Sequence, residues 1–369
     1  MDLLGNRDKI ISINNMPNNI AAKIEELNQL KRSVDFNTYD FSVKEIVSLV
    51  KDQVINISPD YQRKFRWDEK RQSALIESIL LGIPIPSVFM ATNANGTWEV
   101  IDGVQRISTM LNFALDAEDP YRREVNMAEP LKLKDLSKLK SFNGMTFADF
   151  PQSLKYEFQL KPIKVITLSD KSDRLVRFDL FERLNTGGVK LSDQEIRSCI
   201  FKGQFNDFLK EKAGNVDFLN VVKLTENQKK DGSLEELVLR FFAYLNYRER
   251  FEHGVKDFLN DYMGHAEGDF NYRVNSQLFD NVFHQLNQLR YGIVKSRTRN
   301  VTSFILFEAV AVGAAEAIKA GVDNLHLENF YDWVADQNLN KLITGATNAP
   351  GKVNARIEFC KNHFSGQNV

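Results

Sequence analysis

The segment from residue 87 to residue 115 constrains the fold of this chain more than any other. Two runs of strand-like composition, 87–92 and 97–101, flank Asn93-Ala-Asn-Gly96, which is typical of a tight turn between paired strands. The second run continues directly into Asp102-Gly103, and apolar residues then recur at helical spacing. These residues are Ile107, Met110, Leu111, Ala114 and Leu115. The sequence therefore predicts a hairpin, a tight turn and a helix N-terminus in succession, which requires a fold that mixes strands and helices.

Strand and helix signals are mixed only in the first part of the chain. Capping boxes at Ser42–Glu45 and Ser192–Glu195 predict helix starts, a helix is expected from Asp68 to Gly82, and a further strand over 163–168. After residue 171 the apolar periodicity is helical, with helices expected at 173–184, from 192 to near Gly203, and around 234–245, 276–291, 302–320 and 326–337. A chain of 369 residues is too long for a single hydrophobic core. We therefore expect an α+β protein with an N-terminal extension (1–35), an α+β domain (36–170) and a mainly helical domain (171–369).

Composition and charge exclude several classes of protein. Lys and Arg number 48 against 49 Asp and Glu, so the whole chain generates no positive field and any nucleic-acid or anion site must be local. Cys199 and Cys360 form no disulfide framework or zinc spacing, and no secretory signal is recognisable, so we expect a cytoplasmic protein. The longest apolar stretch, 304–322, carries Glu308, Glu316 and Lys319, which favours a buried helix over a membrane span.

The first candidate site is the segment 59–67, PDYQRKFRW. Arg63, Lys64 and Arg66 alternate with Tyr61, Phe65 and Trp67, and Gln62 lies between them. Guanidinium groups bind phosphate in a fork while an aromatic ring stacks on a base, so this mixture suits a nucleotide. A loop whose aromatic residues fill the core and whose arginines are solvated fits the same pattern equally well.

The second candidate is the turn Asp102-Gly-Val-Gln-Arg106. A helix N-terminus offers unpaired amides and the positive end of the helix dipole, and Arg106 would add a charged donor for phosphate. Asp102 would repel phosphate unless a cation bridges the two groups. It is therefore either a magnesium ligand or base, or the N-cap of the helix.

The third and fourth candidates are a glycine turn and a basic cluster. Asn185-Thr186-Gly187-Gly188, followed by Lys190, could bring backbone amides close to a ligand, although helix C-caps use the same glycines. Four basic residues between two predicted helices could contact DNA phosphates or form a solvated loop; they are Arg290, Lys295, Arg297 and Arg299. The five histidines show no pattern of a metal-dependent nuclease.

Three strings together resemble a known family. PDYQRKFRWDEKRQSALIESILLGIPIPSVFM, WEVIDGVQRISTMLNF and FERLNTGGVKLSDQEIRSCIF are similar to the domain of unknown function family 262, the N-terminal domain of GmrSD-type restriction systems and of SspE-like defence proteins. The resemblance extends to 234–242 and to Lys352-Val-Asn-Ala-Arg356. It implies a ParB/sulfiredoxin-like fold for the first domain. Val104 stands where the family's D-G-Q-Q-R motif has its first Gln.

The resemblance implies a function for these residues. We expect a nucleoside-triphosphate-binding, magnesium-dependent hydrolase of a restriction or anti-phage defence system, in which Asp102, Gln105 and Arg106 are catalytic and Asp102 is the metal ligand. The nucleotide would be held by Tyr61, Gln62, Arg63, Trp67, Gly103 and the Asn185–Gly188 turn. The alternative is a non-catalytic module that binds duplex DNA or senses modified DNA, acting with a separate nuclease or modification-system protein. No membrane partner is expected, and an oligomer stays open.

Overall fold

The computed structural model describes residues 20, 23–24, 35–57, 67–93, 95–125, 127, 129–169, 174–184, 192–296 and 301–367, without the side chains of 174–177 and 184. The chain divides into two compact units, residues 1–184 and 185–369. The α+β class with a helical C-terminal part is confirmed. The likeness to the ParB/sulfiredoxin fold and the domain limits of 36–170 and 171–369 stay predictions.

The first unit contains a mixed sheet and six described helices. Its strands are β1 (Phe36–Ser42), β2 (Ile55–Asn56), β3 (Val88–Thr92), β4 (Trp98–Asp102) and β5 (Pro162–Leu168). Its helices are α1 (Val43–Lys51), α2 (Glu69–Leu81), α3 (Val104–Ala114), α4 (Pro120–Glu124), α5 (Gln152–Gln159) and α6 (Arg174–Leu184). The strand order is β1-β5-β3-β4-β2. The β3–β4 and β1–β5 pairs are antiparallel, whereas β3–β5 and β2–β4 are parallel.

The local signals for this unit act as predicted. Ser42 and Glu45 form both hydrogen bonds of the capping box at the start of α1. The Asp68 side chain caps α2, which ends at Gly82 in the left-handed conformation. The predicted hairpin is β3–β4, and α1, α2 and α3 contribute apolar residues to one core with the sheet, Val43, Ile76 and Ile107 among them.

Four elements of the first unit were not predicted. Strand β1 has mostly exposed residues, β2 has only two residues, and α5 lies in a polar part of the sequence. Tertiary pairing rather than local pattern makes β1 a strand, because all seven of its residues pair with β5. The predicted irregular segment 116–151 contains α4 and two short 3₁₀ turns, Lys140–Phe142 and Phe147–Asp149.

Glu77 on α2 fixes part of that irregular segment. Its carboxylate accepts hydrogen bonds from the backbone N–H groups of Ser137, Lys138 and Leu139, at 3.2, 2.7 and 2.7 Å. Burial alone would raise the pKa of this carboxyl, but the bonds from these three residues outweigh it and lower the pKa below its ordinary value.

We expect Glu77→Gln to destabilise the protein by about 1.5–3 kcal/mol at neutral pH, because three backbone donors lose their charged acceptor. The contribution of Glu77 is fully present above the unfolded pKa of about 4.3 and is lost as pH falls through the lower folded pKa. Urea denaturation of both proteins at several pH values measures this. The difference should shrink below about pH 4. Glu157→Gln, in an exposed pair with Lys161, is the control, and a difference independent of pH would contradict the prediction.

Within its described residues, the second unit is helical. Its helices are α7 (Asp193–Ile200), α8 (Gln204–Ala213), α9 (Val216–Val221), α10 (Ser233–Asn246), α11 (Val255–Ala266), α12 (Tyr272–Leu286), α13 (Phe304–Lys319), α14 (Phe330–Val334), α15 (Gln337–Ile343) and α16 (Pro350–Phe364). The predicted helix at 326–337 is wrong as one element, because a break at residues 335–336 separates α14 from α15. The helix that starts at the Ser192 capping box ends at Ile200, before Gly203.

Helix α13 is the buried apolar helix that the sequence predicts. Every residue from Leu306 to Ala315 is buried, including Glu308. A Cβ on Gly313 would lie 2.7 Å from the Cβ of Cys360 and 2.9 Å from the carbonyl oxygen of Ile357, so α13 and α16 pack too closely for a side chain there. Among the described residues, no helix has both the length and the apolar character needed to cross a bilayer.

Candidate functional site

The turn between β4 and α3 requires glycine. Asp102 is the last residue of β4, and Gly103 follows with φ +107°. A Cβ on Gly103 would lie 3.0 Å from Cγ2 of Val88 and 3.1 Å from Nη2 of Arg106. Any side chain would therefore strain the backbone and press on the neighbouring arginine. The turn brings a carboxylate and a guanidinium together at the start of a helix.

Asp102 is not the N-cap of α3, so this alternative from the sequence is wrong. The capping position belongs to Gly103, and no side chain makes a capping hydrogen bond there. Asp102 still lies in the strand, and its Oδ2 accepts a hydrogen bond of 2.8 Å from Nη2 of Arg106. The Asp102 side chain is 36% exposed and that of Arg106 only 12%. The carboxylate thus pairs with a cation and remains accessible to solvent.

Arg106 has an unused donor. Its Nη2 donates to Asp102 and to the carbonyl oxygen of Ser87, at 2.8 and 3.1 Å. Its Nε is buried and has no hydrogen-bond partner among the residues that the structure describes. A buried donor left unsatisfied costs about 1–3 kcal/mol, which an anion bound there would remove. The uncapped first turn of α3 supplies further backbone donors at the same place.

Trp67 joins the end of the aromatic and basic segment to this turn. Its backbone N–H donates to Oε1 of Gln105 at 3.2 Å, and its carbonyl oxygen accepts from Nε2 of Gln72 at 2.9 Å. Two amide side chains, one from α3 and one from α2, therefore fix the Trp67 backbone. Residues 58–66, with Tyr61, Gln62, Arg63, Lys64 and Arg66, lie outside the described residues, so their place at the site stays a prediction.

Residues 43–202 match the family model described as GmrSD restriction endonuclease, N-terminal domain. The resemblance to this family is confirmed for that segment. No curated protein and no solved structure matches the chain. The GmrSD-like domain includes the sheet from β2 to β5, the Asp102–Arg106 turn and helix α7.

The remaining candidate site residues of the GmrSD-like domain belong to one segment that the structure does not describe. Asn185, Thr186, Gly187, Gly188 and Lys190 lie outside the described residues, so neither a ligand contact nor a C-cap is established for them. The capping box that follows is formed by Ser192 and Glu195. Arg197, on the helix that this capping box starts, is buried and bonds to Asn260, Gln194 and Glu236, which gives it a structural role.

The basic cluster beyond the GmrSD-like domain is described for only two residues. Arg290 is exposed, and its guanidinium carbon lies 5.4 Å from the ring centre of Tyr291. Lys295 is partly buried and donates to Oδ1 of Asn340. Arg297 and Arg299 lie outside the described residues. The Lys295 ammonium is thus already bonded within the protein, which makes it a weaker phosphate contact than the sequence suggests.

The implied magnesium ion fits Asp102 only in one mode. No group of three or more His, Cys, Asp or Glu side chains that could hold a metal occurs in the described part of the chain. Magnesium is commonly bound through one or two carboxylates together with substrate phosphates and water. A single accessible carboxylate beside a phosphate-binding turn satisfies that mode, so Asp102 could hold magnesium together with a bound nucleotide.

Sequence reasoning missed two residues next to the site. Gln72 and Asn112 are buried, and Nδ2 of Asn112 donates to Oε1 of Gln72 at 3.1 Å, which bridges α2 and α3. The sequence pattern could have identified both residues, because each amide interrupts an apolar helix face. Both also line a cavity beside Trp67.

Proposed function

We propose that the GmrSD-like domain binds a nucleoside triphosphate at the Asp102–Arg106 turn and hydrolyses it with magnesium. The observation that carries this proposal is the buried Nε of Arg106, which lacks a hydrogen-bond partner among the described residues and lies at an uncapped helix start. Phosphate oxygens are the acceptors that such a group of donors suits best.

Arg106 and Asp102 would bind different parts of the ligand, the phosphates and the magnesium ion. The phosphate oxygens would accept hydrogen bonds from Arg106 and from the backbone amides of the first turn of α3. Magnesium would take the accessible Asp102 carboxylate and neutralise phosphate charge. Gln105, fixed by the Trp67 N–H, would position water or a phosphate oxygen. Tyr61, Gln62 and Arg63 would add further nucleotide contacts.

The biological setting follows from the matched family. Because the family description names a restriction endonuclease, we place this nucleotide chemistry in a restriction or anti-phage defence system with a separate nuclease or modification protein as partner. Titration with nucleotides and with duplex DNA at low and high salt tests the proposal. Nucleotide binding is expected, whereas strong DNA binding that collapses with salt, without nucleotide binding, would favour the DNA-binding module instead.

Asp102→Asn separates magnesium chemistry from folding. We expect magnesium-dependent phosphate release to fall about 100-fold, because an amide is a poor magnesium ligand. Stability should change by no more than about 1 kcal/mol, since Asp102 caps no helix and its ion pair is partly exposed. A phosphate-release assay and a thermal melt measure both effects.

Asp40→Asn is the matched control for Asp102→Asn. Asp40 also lies on a strand and also pairs with a basic side chain, Lys164, at 3.3 Å, but far from the turn in sequence. Its substitution should leave phosphate release unchanged. Full hydrolysis by Asp102→Asn would remove Asp102 from the catalytic residues, and no hydrolysis by the wild-type protein with any nucleotide would remove the catalytic proposal.

A further inference from the structure

A cavity of about 750 Å³ lies in the first unit, bordered by the start of α2 and the end of α3. Its apolar surface comes from Trp67, Phe113, Leu115, Leu131 and Phe147, and all of these except Trp67 are largely shielded from solvent. Cavities of this size suit small organic ligands. The proposed phosphate chemistry makes no use of it.

The rim of this cavity repels phosphate. Asp68, Glu69, Asp116 and Glu129 line it against one basic residue, Lys132. Two of these acids are engaged, since Asp68 caps α2 and Glu69 pairs with Lys134. The carboxylates of Asp116 and Glu129 form no hydrogen bond or ion pair with the residues that the structure describes. They therefore remain acceptors for donor groups of a ligand.

A buried cation, Arg122, contacts a residue of the cavity lining but does not make the cavity a phosphate site. Arg122 is buried, and its guanidinium donates to both the carbonyl and the side-chain oxygen of Asn112. Both Asp116 and Glu129 act on it electrostatically. Because its donors are directed at Asn112 and Leu115, Arg122 orders the cavity wall rather than offering a phosphate site.

Trp67 links the lining of this cavity to the candidate phosphate site. Trp67 lines it and is hydrogen-bonded to Gln105, next to Arg106. Asn112, which also lines it, is seven residues further along α3, a rise of about 10 Å. A ligand with its phosphates at the helix start could extend along α3 and place an uncharged aromatic group in the cavity.

We propose that this cavity holds the base of the bound nucleotide and favours bases with an exocyclic amino group. This inference rests on the proposed nucleotide binding. The apolar walls receive the ring, while the free carboxylates of Asp116 and Glu129 accept hydrogen bonds from an amino group of adenine, cytosine or guanine. Uracil presents carbonyl oxygens to the same carboxylates, which is unfavourable.

Calorimetric titration with inorganic tripolyphosphate and with ATP, CTP, GTP and UTP tests the proposal. For the wild-type protein, at least one amino-bearing nucleotide should bind about 10-fold or more tightly than UTP, as expected for a charge-assisted hydrogen bond. Ala148 and Ala117 line the cavity and are exposed, so Ala148→Trp and Ala117→Trp can each fill it from the surface. Each should weaken nucleotide binding about 10-fold and leave tripolyphosphate binding unchanged.

The controls distinguish the possible failures. Ala148→Ser should bind like the wild type. Asp116→Asn combined with Glu129→Gln should remove the preference over UTP, whereas Glu118→Gln, exposed and outside the cavity, should preserve it. These charge variants decide the matter if a tryptophan variant fails to fold.

Each other outcome overturns the proposal. If tripolyphosphate binds as tightly as every nucleotide and the tryptophan variants change nothing, the cavity does not hold the base, while the phosphate site stands. If neither nucleotide nor tripolyphosphate binds, both proposals fail. If a lysine-rich peptide binds and Ala148→Trp prevents only that binding, the cavity receives a basic protein segment instead.

Discussion

Replacing Glu308 with alanine is expected to destabilise the helical unit by about 3–5 kcal/mol, the largest effect that the structure predicts. Glu308 lies on α13 with a side chain only 1% exposed. Its Oε1 accepts from Nη1 of Arg240 on α10, and its Oε2 accepts from Nη2 of Arg356 on α16, each at 2.5 Å. One carboxylate therefore links three helices.

The network around Glu308 explains why the expected loss is large. Glu236 pairs with Arg240 at 2.7 Å and with Arg197 at 3.4 Å, so three arginines share two carboxylates. The Arg356 Nε is already without a hydrogen-bond partner among the described residues. Glu308→Ala would leave two buried arginines and one partly buried arginine with a single carboxylate, which is far more costly than removing a surface pair.

Urea denaturation measures this loss of stability. Glu358→Ala is the matched control, because Glu358 pairs with Lys361 on the surface of α16 and its removal should cost no more than about 1 kcal/mol. Glu308→Gln keeps an acceptor oxygen and should be intermediate. Equal stabilities for Glu308→Ala and Glu358→Ala would contradict a structural role for the network.

Replacing Arg106 with alanine is expected to weaken tripolyphosphate and nucleotide binding about 10-fold to 100-fold. This corresponds to the loss of a charge-assisted hydrogen bond worth about 1.5–3 kcal/mol. Arg106 provides both the positive charge at the turn and the buried Nε with no partner in the described structure. Arg106→Lys restores the charge but not the planar fork, so it should recover only part of the affinity.

Stability and binding must be measured together for Arg106→Ala. The variant loses the bonds to Ser87 and Asp102, so a cost of about 1 kcal/mol is expected, with the fold retained. Arg123→Ala, an exposed arginine on α4, should change neither property. Wild-type affinity in a folded Arg106→Ala protein would exclude the turn as a phosphate site.

The elements with strong local signals could be predicted from the sequence. Local residues alone determine the Ser42 capping box, the limits of α2 at Asp68 and Gly82, and the β3–β4 hairpin. Each can therefore be predicted from one short segment of sequence. Strand β1 could not be predicted, because pairing with β5, 120 to 132 residues later in the chain, makes it a strand. The turn at Asp102–Arg106 was predicted from its residues and from the resemblance, whereas the Asp102–Arg106 ion pair was not.

Asp102 and Arg356 show the division between sequence and tertiary structure. The sequence by itself determined that Asp102 precedes a helix at a glycine turn and that the first part of the chain mixes strands and helices. Only the tertiary structure decided that Asp102 pairs with Arg106 instead of capping α3, and that Arg356 is buried against Glu308, 48 residues earlier. Caps and turns are set by bonds within one turn of backbone, whereas ion pairs and cavities depend on which helices pack together.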